Sequence, residues 1–253
     1  MLHVVHLSET DSTNCWLREH GGEEEMVVCA DYQTAGQGCG SNTWESERGK
    51  NLLFSVLLHP TEVAAADQFI LSMANALALR DSLADYIDPV KIKWPNDIYW
   101  KDSKICGTLI ETTLQGQHIR DCIIGTGINV NQSSFLSDAP NPVSLCQVLG
   151  YEVDRQELLQ KVLDNLAKYM NMVGADIPSP GEGSGVGICD REPIRALYRN
   201  HLYRLEETWP YRFADGREEL CKLVNVTDDG HLVLLHDNRE TYRMAFKEVQ
   251  FVI

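Results

Sequence analysis

The alternation of polar turns and apolar runs between residues 93 and 129 constrains the fold more than any other feature of the chain. Lys-Trp-Pro-Asn-Asp fills positions 93–97, Lys104 opens an apolar run that contains Gly107, and Gly-Thr-Gly-Ile-Asn closes the next run at 125–129. Short strands joined by tight loops would bring a lysine, glycine backbone and several amides to one edge of a sheet. Such an edge can bind a phosphate ester and stabilise charge on it.

The composition indicates an ordinary packed protein. The 253 residues suffice for one large domain with a small appendage, and the hydrophobic content of 43% allows a normal core. Apolar runs are too short for a membrane helix of about 20 residues, and the N-terminus lacks the basic start of a secretory signal. The eight cysteines lack C-x-x-C spacing. We therefore expect reduced thiols in a cytoplasmic protein, rather than disulfides or a zinc site.

The charge argues against nucleic-acid binding. The formal net charge is −15, and the chain contains neither a Lys/Arg run nor a helix-turn-helix pattern before its first strand. Proteins that bind DNA through its phosphates need a positive surface. The eight histidines lack metal-site spacing and no G-x-S-x-G motif is present, so neither a metal centre nor Ser-His-Asp hydrolysis is expected.

Hydrophobic periodicity predicts an α+β protein. Strands are predicted at 4–7, 26–30, 51–58, 90–94, 98–100, 104–112 and 119–129, and helices at 62–87, 154–173 and 193–203. Asp154 with Glu157 resembles a capping box. The Pro/Gly/Ser-rich stretch 177–187 is predicted to be a flexible excursion. After Pro210, short strands at 220–226, 232–235 and 242–246 fit a small β-barrel or sandwich.

A glycine-rich loop at residues 33–44 is a candidate ligand-binding element. Its alternating glycines allow the backbone to approach a ligand closely, and Trp44 at its end could stack on a flat ring. It is neither a Walker loop nor a dinucleotide fingerprint. A long hairpin loop without a ligand remains an open alternative.

Three further groups are candidates for polar contacts. Lys104 could hold its ammonium over a phosphate because Gly107 leaves space beside it, and the alternative is an exposed lysine at a strand end. Glycines at 125 and 127 suggest close contact with a ligand or a bulge. Residues 12–14 could hydrogen-bond a small ligand or cap a helix.

Taken in order, these motifs resemble those of the biotin–protein ligases, which activate biotin with ATP and attach it to a lysine of a carrier protein. The motifs that carry the resemblance are Ser12-Thr13-Asn14, Tyr32-Gln33-Thr34-Ala35-Gly36, Trp44-x-Ser46, Lys93-Trp94-Pro95-Asn96-Asp97, Lys104-x-x-Gly107 with Glu111, and Gly125-x-Gly127-Ile128-Asn129.

The resemblance implies a fold and a domain division. It implies a class II synthetase-like catalytic domain over residues 1–204, with a mixed central β-sheet flanked by helices. A small SH3-like β-barrel would follow over residues 205–253. The family's optional N-terminal DNA-binding domain is not expected, which suggests a ligase without repressor function.

The resemblance also implies roles for individual residues. Lys104 would be the catalytic residue and would contact the biotin carboxylate and the α-phosphate. The biotin-binding residues would be Ser12, Thr13, Asn14, Gln33, Gly36, Gln37, Gly107 and Gly125. The residues that bind ATP or the adenylate would be Trp44, Asn96, Asp97, Lys104 and Asn129, with Mg²⁺ held by the ATP phosphates near Asp97 rather than at a dedicated protein site.

The implied reaction forms biotinyl-5′-AMP and transfers biotin to a biotin carboxyl carrier protein or a biotin-dependent carboxylase domain. The expected partners are biotin, ATP and this carrier, without DNA or membrane, in a monomer or weak homodimer. Two alternatives stay open, namely a protein that binds biotin or its adenylate with weak turnover, and a lipoate ligase.

The glycine-rich loop departs from the family pattern at two positions. The family loop usually reads G-R-G-R-x-G, whereas Gln37 and Cys39 stand at the places of its arginines. Neither side chain carries a positive charge. Since charge-assisted contacts are about twice as strong as neutral ones, the adenylate could be held more weakly. Our hypothesis is that Arg48 or Lys50 compensates.

Overall fold

The computed structural model describes residues 3–40, 42–136, 141–175 and 190–253, and a seven-stranded mixed sheet forms its larger part. The strand order is β1-β2-β3-β7-β6-β5-β4, in which β1 and β2 are parallel and the other neighbours antiparallel. The strands are β1 (His3–Leu7), β2 (Met26–Ala30), β3 (Leu52–Leu58), β4 (Val90–Lys93), β5 (Asp97–Trp100), β6 (Ser103–Gln115) and β7 (His118–Ile128). The predicted mixed central sheet is confirmed.

The β6–β7 hairpin places the glycine motifs side by side in the middle of this sheet. Gly127 pairs with Gly107 on β6 and with Leu53 on β3, and Gly125 pairs with Leu109 and Ser55. The ladder is regular at both positions, so the alternative of a bulge there is wrong. Without β-carbons, this part of the sheet presents bare backbone to whatever packs on it.

Five α-helices cover the sheet within the described residues. They are α1 (Thr13–His20), α2 (Phe69–Ala84), α3 (Leu145–Leu149), α4 (Arg155–Met172) and α5 (Glu192–Asn200). Helix α2 packs against α4, α5, β4 and β5, which explains why its sequence is apolar on nearly every face. It begins seven residues later than predicted because residues 62–68 form turns and a short 3₁₀ segment, Ala65–Asp67.

Of two helix-capping side chains that the sequence predicted, one forms its capping hydrogen bonds and the other does not. Asp154 caps α4 by accepting hydrogen bonds from the backbone N–H groups of Gln156 and Glu157, as its position predicts. Ser12 occupies the N-cap position of α1, but its side chain forms no capping hydrogen bond. That hydroxyl is therefore not committed to the helix terminus.

A five-stranded antiparallel sheet forms the C-terminal part, with the order β11-β10-β9-β8-β12. Its strands are β8 (Thr208–Phe213), β9 (Glu218–Val226), β10 (Leu232–His236), β11 (Thr241–Met244) and β12 (Val249–Phe251). The sequence predicted β9, β10 and β11 but missed β12 and also β8, which contains Pro210. The predicted excursion at 177–187 lies outside the described residues.

The C-terminal sheet sits against the Lys-Trp-Pro-Asn-Asp turn. The indole N–H of Trp94 donates a hydrogen bond of 2.9 Å to the carbonyl of Gly230. Gly230 has φ of +90°, and a β-carbon there would lie 2.7 Å from the ring of Phe69 on α2. Only glycine combines that conformation with that contact. The ring of Trp94 also meets Phe246 edge-on, with centroids 5.9 Å apart.

Candidate functional site

Two adjoining cavities lie on one side of the large sheet, and the smaller of them lies over its central glycines. The smaller, of about 160 Å³, is lined by residues of the α1 start, the glycine-rich loop and β7. The larger, of about 970 Å³, opens toward the C-terminal sheet. Trp44, Asp97 and Lys104 line both cavities and therefore form the junction between them.

Most of the candidate residues meet here. Those that line the smaller cavity are Ser12, Thr13, Asn14, Gln33, Gln37, Asn96, Gly107 and Gly125. Asn129 lines the larger cavity, where its backbone is fixed by hydrogen bonds to Ile105 and Leu145. Gly36 lines neither. Its carbonyl accepts a hydrogen bond from the Trp44 N–H at 2.9 Å, so it shapes the loop rather than the cavity wall.

The Trp44 indole lies flat on the glycine patch. A β-carbon at Gly127 would lie 2.5 Å from its Nε1, and one at Gly107 would lie 2.8 Å from its Cζ3. Both distances are far below normal contact, so an alanine at either place would displace the ring. The indole N–H is buried and forms no hydrogen bond with the described residues. The missing β-carbons of Gly107 and Gly127 thus make room for the Trp44 ring on the sheet.

Lys104 reaches the junction because of a bulge in β6. Tyr99 pairs with Lys104 and Ile98 with Cys106, so Ile105 is an extra residue in the β6 strand. In a regular strand, residues 104 and 107 would point to opposite faces. The bulge turns Lys104 to the side of Gly107, where a β-carbon would lie 3.2 Å from the lysine Nζ.

At the junction the lysine is paired and partly buried. Its Nζ lies 2.7 Å from Oδ2 of Asp97, with the two side chains 25% and 22% exposed. The same Nζ lies 5.9 Å from the centre of the Trp44 ring. The alternative of an exposed lysine at a strand end is therefore wrong.

A hydrogen-bond network closes the polar end of the smaller cavity. Oε1 of Gln33 accepts hydrogen bonds from the Thr13 backbone N–H at 2.8 Å and from its hydroxyl at 3.0 Å. The Ser55 hydroxyl lies 2.7 Å from Thr13 Oγ1 and 2.6 Å from Asn14 Oδ1. Asn14 in turn donates to Glu111 at 2.7 Å. These side chains include both donors and acceptors, so they can form hydrogen bonds with the N–H and C=O groups of a small urea-like ligand.

Several residues of the site gave no local signal in the sequence. Ser55 stands inside a fully buried strand, and Lys247 and Phe246 come from the C-terminal sheet. Lys93 belongs to a motif that the sequence singled out, but its place in the larger cavity, with its ammonium 4.9 Å from the ring centre of Phe251 on β12, was not predicted. Burial lowers the pKa of Lys93. Only the folded chain brings these groups together.

Arg48 and Lys50 lie outside both cavities. Arg48 is ion-paired with Glu9, and its guanidinium lies 4.6 Å from the ring centre of Tyr32. Lys50 pairs with Glu152 at 2.8 Å. Neither side chain lines either cavity. This geometry gives the hypothesis of compensation no support, since both cations have acidic partners elsewhere, and the hypothesis stays untested.

The described ranges (3–40, 42–136, 141–175 and 190–253) offer neither a metal site nor a membrane span. They contain no cluster of three or more His, Cys, Asp or Glu side chains that could hold a metal ion. No helix in them is both long and apolar enough to cross a membrane. Their cysteines are free thiols, and burial raises the pKa of Cys29 to about 11 and that of Cys122 to about 12.

Comparisons with known proteins agree with this geometry. Residues 6–129 match the biotin/lipoate A/B protein ligase family. A biotin–[acetyl-CoA-carboxylase] ligase of Paracoccus denitrificans is 32% identical over 64% of this chain and 71% of its own length. The bifunctional ligase/repressor BirA of Bacillus spizizenii is 36% identical over 62% of this chain and 49% of its length. The chain thus spans about half the length of the ligase/repressors that it matches.

A solved structure resembles the whole fold. The biotin protein ligase from Aquifex aeolicus, in complex with biotin and ATP, superimposes with a TM-score of 0.80 at 24% identity, and the match covers 100% of both chains. This likeness extends to the C-terminal sheet as well as to the larger mixed sheet. The architecture is therefore that of a known fold over its full length.

Proposed function

Since the chain belongs to the biotin/lipoate A/B protein ligase family, we propose that it activates biotin with ATP and transfers it to a lysine of a carrier protein. The observation that carries the proposal is the junction of the two cavities, where Lys104, Asp97 and Trp44 meet. A carboxylate from one cavity and a phosphate from the other would come together there.

The smaller cavity is proposed to hold biotin. Ser12, Thr13, Asn14 and Gln33 would surround the ureido group, and their existing hydrogen bonds hold three of these side chains in place before the ligand enters. Gly107 and Gly125 would form the floor, and Gln37 would lie at the rim. Gly36 would act indirectly, by fixing the backbone of Trp44. Polar groups that are already oriented bind a ligand at a lower entropic cost.

The larger cavity is proposed to hold the nucleotide. Trp44 and Asn129 would contact the adenine, and Asp97 would lie by the phosphates at the junction. Asn96 lines the smaller cavity next to Asp97, and it would approach the phosphates from that side. The Mg²⁺ that accompanies ATP would be held by the ATP phosphates near Asp97, whose carboxylate is an oxygen donor of the kind that this ion prefers. Such an ion would neutralise phosphate charge.

Lys104 is proposed to be the catalytic residue. In the first step the biotin carboxylate attacks the α-phosphorus, the bond to the bridging oxygen breaks, and pyrophosphate leaves. The Lys104 ammonium would contact the carboxylate and the α-phosphate, and offset the negative charge that builds up between them. In the second step the neutral amine of the carrier lysine attacks the acyl carbon, an amide forms, and AMP leaves with loss of a proton. Placement of the reactants supplies the remainder of the acceleration.

Further parts of the proposal concern the whole protein. We assign residues 1–204 to the catalytic domain and 205–253 to an SH3-like domain. The carrier would be a biotin carboxyl carrier protein or a biotin-dependent carboxylase domain. The protein would act in the cytoplasm, as a monomer or weak homodimer, without DNA or membrane.

The test is the release of pyrophosphate from MgATP on addition of biotin, with lipoate in a parallel reaction. We expect that biotin causes the release of pyrophosphate and that lipoate does not. Lys104→Ala should lower the rate by about 10²–10³-fold, the usual cost of removing a group that stabilises transition-state charge. Lys161→Ala is the matched control, since this lysine forms an exposed pair with Asp85 at 3.2 Å. Release with lipoate alone would favour the lipoate ligase, and binding of biotin without release would favour the weakly active binding protein.

A further inference from the structure

Lys247 is a lysine in an unusual backbone conformation. It lies between β11 and β12 with φ of +75°, in the left-handed region that glycine adopts freely and other residues rarely occupy. A side chain held in this region costs about 1 kcal/mol or more, and such residues concentrate at functional sites. Its ammonium group therefore merits a functional explanation.

The conformation directs this lysine onto the glycine-rich loop. A β-carbon at Gly40 would lie 2.7 Å from the Lys247 Nζ, so the ammonium rests on the bare backbone of that glycine. Gly40 itself has φ of +71°. Lys247 and Cys39 both line the larger cavity. The C-terminal sheet thus supplies a positive charge beside the loop positions where Gln37 and Cys39 supply none.

Among the residues that the structure describes, Lys247 forms no ion pair. No carboxylate of the described chain lies within ion-pair distance of Lys247. Lys93 and Lys104 line the same cavity, together with the acidic residues Asp97 and Glu45. Asp97 is paired with Lys104, and Glu45 accepts a hydrogen bond from the Leu136 N–H at 2.9 Å. Three lysines and two carboxylates give the lining of this cavity a formal charge of +1, in a chain whose net charge is −15, so the cavity is locally favourable for an anion.

We propose that Lys247 binds the phosphates of the nucleotide and takes the place of the loop arginines that the family pattern contains and this chain lacks. The inference rests on the proposed function, because it assumes that ATP is the occupant of the larger cavity. It assigns a substrate-binding residue to the C-terminal sheet, so that nucleotide affinity depends on a part of the chain far from the other motifs. It also predicts different effects on the two substrates, because the affinity for ATP should depend on this lysine and the affinity for biotin should not.

Lys247→Gly is the most informative variant. Glycine removes the ammonium and at the same time suits the backbone conformation, so the variant should fold at least as stably as the unmodified protein. Lys247→Arg retains a cation. Arg239→Gly is the matched control, because Arg239 has φ of +69° and is exposed on the β10–β11 turn of the same sheet, away from both cavities.

The affinity for MgATP is measured by titration calorimetry, and KM for ATP and for biotin by pyrophosphate release. For Lys247→Gly we expect the Kd for MgATP to rise about tenfold, the loss of one charge-assisted contact of about 1.4 kcal/mol. KM for biotin should stay within about twofold, Tm should not fall, and the dependence of ATP affinity on salt should weaken. Lys247→Arg and Arg239→Gly should bind MgATP like the unmodified protein.

Two results would overturn the inference. One is an unchanged Kd for MgATP in Lys247→Gly. The other is an equal rise in KM for both substrates, which would mean that the lysine only holds the loop in shape. Failure of the proposed function looks different, since the unmodified protein would then release no pyrophosphate with biotin. The calorimetric comparison decides the role of Lys247 even in that case, and a protein that binds no MgATP refutes both.

Discussion

Gly127→Ala should force the Trp44 indole away from the sheet. The added β-carbon would lie 2.5 Å from Nε1 and 2.7 Å from Cζ2 of the ring, whereas carbon contacts are normally about 3.5–4.0 Å. The indole must therefore withdraw by about 1 Å. Overpacking of this kind costs about 1–3 kcal/mol. Alanine lowers the entropy of the unfolded chain, which stabilises the protein by about 0.4–1 kcal/mol. The net loss of stability is therefore between about 0 and 2.6 kcal/mol.

A double-mutant cycle with Trp44→Ala isolates this contact. Once the ring is removed, Gly127→Ala should be neutral or slightly stabilising, so the coupling between the two positions should be about 1–3 kcal/mol. The free energy of unfolding is measured by urea titration with circular dichroism, since removal of a tryptophan would alter a fluorescence signal. Gly22→Ala is the control, because nothing lies within 4 Å of a β-carbon at that position.

The cycle can contradict the reasoning in two ways. Gly127→Ala could stabilise the protein by the full entropic gain of about 0.4–1 kcal/mol even with the ring present, which would mean that the ring has room to yield. It could also cost the same free energy with and without the ring, which would show that another group determines the need for glycine. Either result would remove the indole as the reason for glycine at position 127.

The remaining predictions concern a buried phenol, the smaller cavity and the thiols. Burial raises the pKa of Tyr198, whose hydroxyl donates to the Pro95 carbonyl at 2.7 Å, so this phenol stabilises the fold fully below its ordinary pKa of about 10 and less as pH rises above it. Tyr198→Phe should lower the free energy of unfolding by about 1–3 kcal/mol at neutral pH. Above pH 10 the unfolding free energy of the variant should fall less steeply than that of the unmodified protein, by about 1.4 kcal/mol per pH unit. Parallel curves for the two proteins would contradict this. Gly125→Ala would place a β-carbon 2.8 Å from Asn14 Cγ, so KM for biotin should rise while KM for ATP stays unchanged, and equal changes in both would argue against a separate biotin cavity. Cys39, which lines both cavities, should react with iodoacetamide before buried Cys122 and be protected by biotin with MgATP; reaction at an equal rate with and without the ligands would contradict its placement.

The sequence alone predicted those features of the fold that depend on residues close together along the chain. Apolar runs bounded by turns predicted the strands of the large sheet, and the order of the motifs predicted the fold class. Pro210 hid β8, because proline usually marks an edge or an interruption. Its pairing with Leu220 on β9 and the Val252 N–H that reaches its carbonyl come from distant segments. The start of α2 was placed too early because the three alanines at 64–66 favour a helix, whereas the chain forms turns and a 3₁₀ segment there.

The site shows the same division between local and distant information. The spacing of Lys104 and Gly107 indicated a lysine beside an open space, yet in a regular strand they would face apart, and only the bulge at Ile105 places them together. Arg48 was plausible from proximity along the chain, but Glu9 neutralises it. Lys247 lies far along the chain from the loop it contacts, and only its tertiary position gives it a role.

The central claim is that Lys104 joins a biotin carboxylate to a nucleotide phosphate at the junction of the two cavities. Mass spectrometry of a biotin carrier domain, incubated with the protein, biotin and MgATP, tests it most directly. We predict that the carrier gains the mass of one biotinyl group with the unmodified protein and with Lys161→Ala, and gains none with Lys104→Ala. An unmodified carrier in every reaction, or equal labelling by Lys104→Ala, would contradict the account.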